Sequence, residues 1–250
     1  TRLDEWAIIR DLAIAKGLSV GCMLDMRDDP QRQTMRHLIL NGDIGTVQTV
    51  VFSGQHPLML GSRPGWYFES GSHGGTLNDI AIHALDCIPW MTGRKIAQIT
   101  AARTWNAKAV GVPWFKDCAQ LMLTLDNGGG ILGDVSYLSP DACGYSIRPY
   151  WRLTVHGTRG VAETQCGDPA VMLATDTDKQ ARSIPGKRHR RAGYFEDFLA
   201  EVQGCPEMEG LTTASVLEAS RWALLTQKAA DEGLTCVPPL GDTTAGSQQT

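Results

Sequence analysis

Short apolar segments separated by tight turns fill the middle of the chain, and this pattern limits the possible folds more than any other feature. Turns such as Asp126-Asn127-Gly128 and the segment from Gly157 to Gly160 are typical of antiparallel hairpins. The predicted strands are 47–53, 97–105, 118–125, 131–138, 151–156, 161–164 and 171–174. The sequence therefore predicts an α+β chain built on a mainly antiparallel sheet.

Apolar residues at helical spacing occur at both ends of the chain and once between the strands. The predicted helices are 4–16, 31–40, 79–91, 194–202 and 213–231. The first has Asp4 and Glu5 in its first turn and Gly17 after its end, and the apolar run 18–26 that follows it is predicted to be a strand. The helix at 79–91 interrupts the strands, so it must pack on one face of the sheet.

The composition favours small-molecule chemistry. The 250 residues carry a formal net charge of -4 with both signs interspersed, which argues against a nucleic-acid or membrane-surface partner. The seven cysteines are scattered without a C-x-x-C pair, so we expect reduced thiols in a cytoplasmic protein. No apolar stretch approaches the roughly 18 to 20 residues that span a bilayer, and the first residues show no secretion signal pattern.

The segment from Gly74 to Asp86 carries the strongest functional signal. After a Gly-Gly pair, Asp79, His83 and Asp86 follow at positions i, i+4 and i+7, which places them on one face of a helix. The remainder of the helix is mostly apolar, so these ionisable groups need partners or a chemical role. A carboxylate one turn from an imidazole can orient the ring and tune its pKa, as a general acid/base pair requires.

Other interpretations of these residues stay open. Asp79 could cap the helix, His83 could be a core histidine with satisfied hydrogen bonds, and Asp86 fits an orienting role better than a reacting one. A metal site made of all three is conceivable, because imidazole and carboxylate groups are suitable ligands. No further His or Glu stands at ligand spacing, so the sequence predicts no metal.

The run from Gly128 to Gly133 matches the dinucleotide pattern G-x-G-x-x-G, but its context differs. That pattern needs a following helix whose amino end holds the pyrophosphate. Here the β-forming residues Val135 to Tyr137 follow instead. The sequence therefore predicts a hairpin turn at this place.

Two basic segments have open interpretations. Arg27 follows the strand predicted at 18–26, where a guanidinium can meet a ligand, and a solvated linker arginine is equally consistent. The run 187–191 is predicted to be a solvated loop before a helix rather than a phosphate clamp.

The stretch 55–75 is rich in Gly and Pro and long for a segment without clear regular structure, which suggests an active-site loop. Its rings could stack on a sugar or simply pack within the loop. These ring side chains are His56, Trp66, Tyr67 and His73.

The order of these parts resembles the Gfo/Idh/MocA family of NAD(P)-dependent oxidoreductases, which includes inositol and sugar dehydrogenases. The specific element is the Gly74-Gly75 turn followed by Asp79, His83 and Asp86. Weaker elements are the helix with Asp4-Glu5, the strand ending at Arg27, the segment 38–45 and the hairpin 157–160.

This resemblance implies a large open, mainly antiparallel sheet with helices on one face, preceded by the last helix and strand of a Rossmann domain. Residues 1–26 are expected to be that remnant, and 27–240 the substrate-binding and oligomerisation domain. The polar segment 241–250 is expected to be a disordered tail. The family's glycine fingerprint and its Glu-Lys-Pro motif are expected upstream of Thr1.

The resemblance also implies the chemistry. Asp79 and His83 are the expected catalytic residues, which assist proton removal from a secondary hydroxyl of a sugar or cyclitol during hydride transfer to NAD or NADP. The cofactor is expected to bind mostly upstream of Thr1. Expected substrate contacts are Arg27, His56, Trp66, Tyr67 and Asn78, with Asp86 behind the catalytic pair.

Two other functions remain open beside the dehydrogenase. One is a redox-assisted lyase or glycosidase on the same fold, and the other is a non-catalytic sugar-binding or oligomerisation role. A homodimer or homotetramer formed through the sheet is implied by the resemblance alone.

Overall fold

The computed structural model describes residues 2–190, 193–207 and 209–239, so the tail predicted at 241–250 lies outside the described residues. Within these ranges the helices are α1 (Leu3–Lys16), α2 (Pro30–Leu40), α3 (Ile82–Thr92), α4 (Tyr194–Val202) and α5 (Thr213–Glu232). The strands are β1 (Val47–Pro57), β2 (Ile96–Trp105), β3 (Cys118–Leu125), β4 (Gly130–Ser139), β5 (Arg152–Gly157), β6 (Gly160–Gln165), β7 (Ala170–Thr175), β8 (Arg182–Pro185) and β9 (Thr235–Val237).

The described strands form one open sheet in the order β8-β7-β6-β5-β1-β4-β3-β2-β9. Only β1 and β4 pair in parallel, and all other neighbours are antiparallel. The tight turns at 126–129 and 158–159 join β3 to β4 and β5 to β6, which confirms the predicted hairpins. The glycine-rich run therefore feeds a strand and not a helix.

The two faces of the sheet differ in what covers them. Along β4, Ile131, Val135 and Tyr137 are fully buried, whereas Leu132 is exposed, as the alternation of side chains in a strand requires. The helices lie on the buried face: α3 packs on β1, α5 on β2, and α2 on β6 and β7. This arrangement confirms the predicted α+β fold with helices on one face.

The helix predicted at 79–91 begins with one wide π-helical turn, Leu77–Ala81, before α3 continues to Thr92. Gly75 enters this turn at φ +95, and a Cβ there would lie 2.2 Å from the side chain of Gln227 on α5. The Gln227 side chain accepts the N–H of Leu77 at 3.1 Å, so α5 holds the start of the turn. Single π turns of this kind often occur at functional sites.

The strand predicted at 18–26 is wrong. Residues 18–24 have no regular structure, and Asp25–Asp28 form a short 3-10 helix. The apolar run has no neighbouring strand among the described residues, and it packs instead through Leu24 against α5. A run of apolar residues becomes a strand only where a partner supplies its hydrogen bonds.

The solvated loop predicted at 187–191 is wrong for Arg190. Its side chain is buried and forms ion pairs with Asp28 at 3.4 Å and with Asp197. Asp28 is 162 positions away in the chain and Asp197 lies seven residues further on, in α4, so the basic run alone could not reveal either partner. Arg191 lies outside the described residues.

In the part of the chain that the structure describes, no helix is both long and apolar enough to cross a membrane. The seven cysteines, all within the described ranges, are free thiols.

Candidate active site

Asp79 is the centre of a polar cluster between the sheet and the helices. Tyr67 donates a hydrogen bond to Asp79 Oδ2 at 2.7 Å, and Tyr137 donates a short one to the same oxygen. The two phenol oxygens lie 2.8 Å apart. His73 Nε2 lies 3.0 Å from the Tyr137 hydroxyl and 3.5 Å from Asp79 Oδ2. One carboxylate oxygen is thus fully engaged by the protein.

The electrostatics of the cluster favour an ionised Asp79. Burial opposes ionisation, but the contacts from His73, Tyr137 and Tyr67 outweigh it and hold the pKa of Asp79 well below its usual range. Burial and the Asp79 charge raise the pKa of Tyr67, and the same two causes raise that of Tyr137. Both phenols therefore keep their protons and act as donors near neutral pH.

His83 lies on α3, just beyond the π turn, and is half-buried. Its ring packs edge-on against Trp151 with centroids 5.9 Å apart. Burial lowers the pKa of His83 although the charges of Asp25, Asp79 and Asp86 oppose the change. No hydrogen bond joins His83 to Asp79 among the described residues, so the expected orienting of the imidazole by Asp79 is not visible. A neutral imidazole beside a carboxylate can still accept a proton.

His56 lies at the end of β1 within a group of aromatic rings. The nearest are Tyr150 at 4.9 Å, Trp151 and Tyr145 at 5.8 Å, and Tyr137 at 6.3 Å between centroids. Burial lowers the pKa of His56 to about 4, and His83 adds to the effect. Trp151 thus contacts both His56 and His83.

Arg27 and Asp86 form a closed pair away from the cluster. Arg27 donates to both oxygens of Asp86, with Nε at 2.8 Å, and the two side chains are 7% and 1% exposed. Burial raises the pKa of Asp86, and the guanidinium opposes that rise. The sequence predicts substrate contact for Arg27, whereas the structure shows its donors facing Asp86 and the Gly210 carbonyl. The alternative of a solvated linker arginine is wrong, because the Arg27 side chain is buried in this ion pair.

The remaining predicted site residues lie around Asp79 in different settings. Trp66 is 52% exposed and its ring contacts Tyr67 at 5.4 Å. Asn78 is half-buried in the π turn beside Asp79. Tyr67 is buried with its hydroxyl committed to the cluster rather than open.

Sequence reasoning missed Tyr137 as a member of the site. The sequence pattern could have indicated its burial, because Tyr137 continues the series of buried residues Ile131 and Val135 along β4. A tyrosine at a fully buried strand position needs a partner for its hydroxyl, and that partner is Asp79. The contact joins residues 58 positions apart, which no local pattern indicates.

The site residues do not fit a metal or a nucleotide phosphate. Among the described residues, no group of three His, Cys, Asp or Glu side chains is placed to hold a metal ion. Asp79 and Asp86 have different partners and do not converge. The glycine-rich run lies in a hairpin without a helix amino terminus, so it offers no cradle for a pyrophosphate.

Fold and site together define an α+β domain with a polar, partly open cluster on the helical side of an open sheet. A model of the GFO/IDH/MocA C-terminal domain matches residues 32–163, and the chain belongs to this family. The match includes the π turn, α3 and the first six strands up to Glu163. A comparison with curated proteins found no match.

Several solved structures share the fold. A Thermotoga maritima protein named as an oxidoreductase is 26% identical over 94% of this chain and 69% of its own, with a TM-score of 0.81. An inositol dehydrogenase homolog from Azotobacter vinelandii, solved with NAD+, is 16% identical over 95% of this chain and 69% of its own, with a TM-score of 0.75. A super-repressor mutant of Gal80p from Saccharomyces cerevisiae is 18% identical over 94% and 69%, with a TM-score of 0.72. The last two likenesses show the fold alone.

Proposed function

We propose that this chain is the substrate-binding part of an NAD(P)-dependent oxidoreductase that oxidises a secondary hydroxyl of a sugar or cyclitol. The observation that carries the proposal is the juxtaposition of an ionised, partly open Asp79 with a neutral His83 on one helix. Family membership and the oxidoreductase name of the Thermotoga maritima relative support the reaction class. The NAD+ in the structure of the inositol dehydrogenase homolog supports the cofactor.

The residues of this chain bind the substrate and handle one proton. Asp79 accepts a hydrogen bond from the substrate alcohol and fixes its orientation, while neutral His83 accepts a proton from the reacting hydroxyl. The lysine of an upstream Glu-Lys-Pro motif is an alternative base. The nicotinamide, when bound, accepts the hydride.

We assign residues 1–26 to the end of a Rossmann domain and 27–240 to the substrate domain. The side chains of Ile8, Ile9 and Leu12 on α1 are 67%, 51% and 51% exposed, while Trp6 on the same helix packs against α5. An apolar helix with so much exposed surface fits against another domain. The test is the coding sequence before Thr1: a strand, G-x-G-x-x-G, a helix and Glu-Lys-Pro support the assignment, and an unrelated domain contradicts it.

The function is tested on the chain joined to that upstream domain, called here the extended protein. We expect a screen of sugars and polyols to yield NAD(P) reduction, and His83→Ala to lower turnover by about 100-fold with cofactor affinity little changed. The matched control is His156→Ala, since His156 is exposed on β5, away from Asp79. Equal turnover in the wild type and His83→Ala would contradict the role of His83.

A homodimer or homotetramer through the open face of the sheet is part of the proposal. Val51, Met122 and Leu132 are exposed there and line a groove of about 410 Å³. We expect Met122→Lys to shift the molar mass by light scattering toward the monomer, and Val110→Lys, at an exposed position in the 106–117 loop, to leave it unchanged. Equal masses for both variants would exclude this face.

A second candidate function is ligand binding without catalysis in a cytoplasmic protein. The likeness to the Gal80p structure, which is described as that of a super-repressor mutant, supports this candidate because one fold can serve different functions. Sugar binding by the extended protein without any cofactor reduction would favour this function. NAD-dependent release of a leaving group without net cofactor reduction would favour the redox-assisted lyase or glycosidase.

A further inference from the structure

The two oxygens of the Asp79 carboxylate have different surroundings. All the contacts from Tyr67, Tyr137 and His73 reach Oδ2 directly or through the Tyr137 hydroxyl. No described residue donates a hydrogen bond to Oδ1, and the Asp79 side chain remains 38% exposed. The carboxylate is therefore clamped at one oxygen and open at the other.

The residues around Oδ2, called here the clamp, are Tyr67, Tyr137 and His73, and they come from three separate parts of the chain. Tyr67 comes from the short 3-10 helix Gly65–Phe68, Tyr137 from β4, and His73 from the loop before the π turn. Arg63 lies over the rings of Tyr67 and Tyr137, with its guanidinium carbon 4.4 and 5.5 Å from their centroids. Its Nε and Nη2 donate to the carbonyls of Leu58 and Pro57, which ties the loop to the end of β1.

The buried phenols have no other evident reason for their hydroxyl groups. Tyr137 is 0% exposed, and a phenylalanine would fill the same space without the need for a hydrogen-bond partner. A buried hydroxyl that ends on a half-exposed carboxylate fixes the position and charge of that carboxylate. Such preorganisation of the groups that touch a substrate is how a protein scaffold supports a reacting group.

We propose that Tyr67, Tyr137 and His73 are positioning residues that hold Asp79 Oδ2, so that Oδ1 stays ionised and directed at a substrate hydroxyl. The proposal rests on the function proposed above for Asp79. The other titratable or charged groups that face the cluster are Arg63, His56 and His83. None of them donates a hydrogen bond to Asp79 in the described structure, so the two phenols and His73 set its state.

The first test measures the charge of Asp79 without any enzyme assay. The Cγ resonance of Asp79, assigned with Asp79→Asn, is followed by ¹³C NMR from pH 7 to pH 3 in this chain. We expect the wild type and a Tyr194→Phe control on α4 to stay ionised throughout. In Tyr137→Phe, Tyr67→Phe and the double variant we expect a protonation step to enter the measured range, with a midpoint above about pH 3 that is highest in the double variant. Flat titrations in all variants would overturn the proposal.

The second test separates positioning from mere stability in the extended protein. We expect Tyr137→Phe, normalised to the folded fraction, to lower kcat by about 10-fold with KM little changed. In the Asp79→Asn background, where the carboxylate is already lost, the same Tyr137→Phe change should lower kcat by less than about twofold further. A structural role alone would reduce only the amount of folded protein, and an unchanged kcat in folded Tyr137→Phe or an equal loss of about 10-fold in both backgrounds would overturn the positioning role. If the wild type turned over no sugar or polyol, the proposed function would fail. The NMR titration would still decide whether the clamp controls the charge of Asp79.

Discussion

Asp79 and Asp86 lie about two helical turns apart on the same helical segment, yet the protein treats their carboxylates in opposite ways. Asp86 is closed by the Arg27 guanidinium, and both side chains of that pair are almost fully buried. Asp79 is held at one oxygen by neutral phenols and keeps a 38% exposed side chain. The comparison distinguishes a structural carboxylate, whose charge is balanced by a cation, from a carboxylate that keeps its charge and is accessible to a ligand.

The difference also shows how the π turn contributes to the site. Asp79 lies in the wide turn Leu77–Ala81 and contacts Tyr137 of β4 and Tyr67 of the 3-10 helix, while Asp86 lies within regular α3 and pairs with Arg27 before α2. A strictly regular helix would place both on one face, which is the arrangement that the sequence spacing predicts. The wide turn gives the two aspartates different surroundings.

The largest expected effect comes from breaking the closed pair. Arg27→Ala leaves the Asp86 charge buried without its partner, and we expect a loss of about 3 to 5 kcal/mol in the free energy of unfolding. Denaturant unfolding followed by circular dichroism measures it. Arg103→Ala, at an exposed arginine on β2, is the matched control and should cost less than about 1 kcal/mol. Similar losses in the free energy of unfolding of the two variants would mean that the buried pair stabilises the fold no more than an exposed arginine does.

The next effect concerns His56, which lies among the rings of Tyr137, Tyr145, Tyr150 and Trp151. The folded pKa of His56 is about 4, below the unfolded value of 6.5, so the unfolded state binds the proton more readily. Its contribution to stability is present above about pH 6.5 and is lost as the pH falls toward 4, at up to about 1.4 kcal/mol per pH unit. His56→Phe should remove this slope, although His83 adds a slope of the same sign.

The His56 prediction is checked by urea unfolding at several pH values between 4 and 7. His156→Phe, at an exposed histidine, is the matched control and should retain the wild-type slope. An unchanged slope in His56→Phe would show that His56 is not the buried neutral group that its surroundings indicate.

A smaller effect tests how the π turn is held. Gly75→Ala combines a positive φ with a close approach to Gln227, whereas Gly61→Ala has a positive φ and open space around its Cβ. We expect Gly75→Ala to lower the free energy of unfolding by about 2 kcal/mol more than Gly61→Ala. Thermal and denaturant unfolding of both variants measure the difference. Equal losses would mean that the turn does not depend on its contact with α5.

The sequence predicted most elements because each has a strong local signal. The helix at Tyr194–Val202 and the strand at Cys118–Leu125 agree with the prediction residue for residue, since apolar spacing and flanking turns mark both ends. Strands β8 and β9 were not predicted, because Arg182–Pro185 and Thr235–Val237 are short edge strands with few apolar residues. Their pairing depends on a sheet that is already present.

The candidate site was predicted only in part, because only some of its residues stand in a strong local pattern. Asp79, His83 and the ring residues of the 55–75 stretch stand in recognisable local patterns. The partners that define their states come from elsewhere: Tyr137 for Asp79, Trp151 for His83 and Arg27 for Asp86. Spacing along a helix shows which residues share a face, but it does not show which neighbour each side chain meets in the folded protein.

The central claim is that Asp79 acts on the substrate while Asp86 maintains the fold. The most direct measurement is the turnover of Asp79→Asn in the extended protein, normalised to the folded fraction, with a substrate found by the polyol screen. The account predicts a loss of about 100-fold or more in kcat, with a thermal midpoint that stays closer to the wild type than that of Asp86→Asn. Turnover within about twofold of the wild type in folded Asp79→Asn would contradict the account.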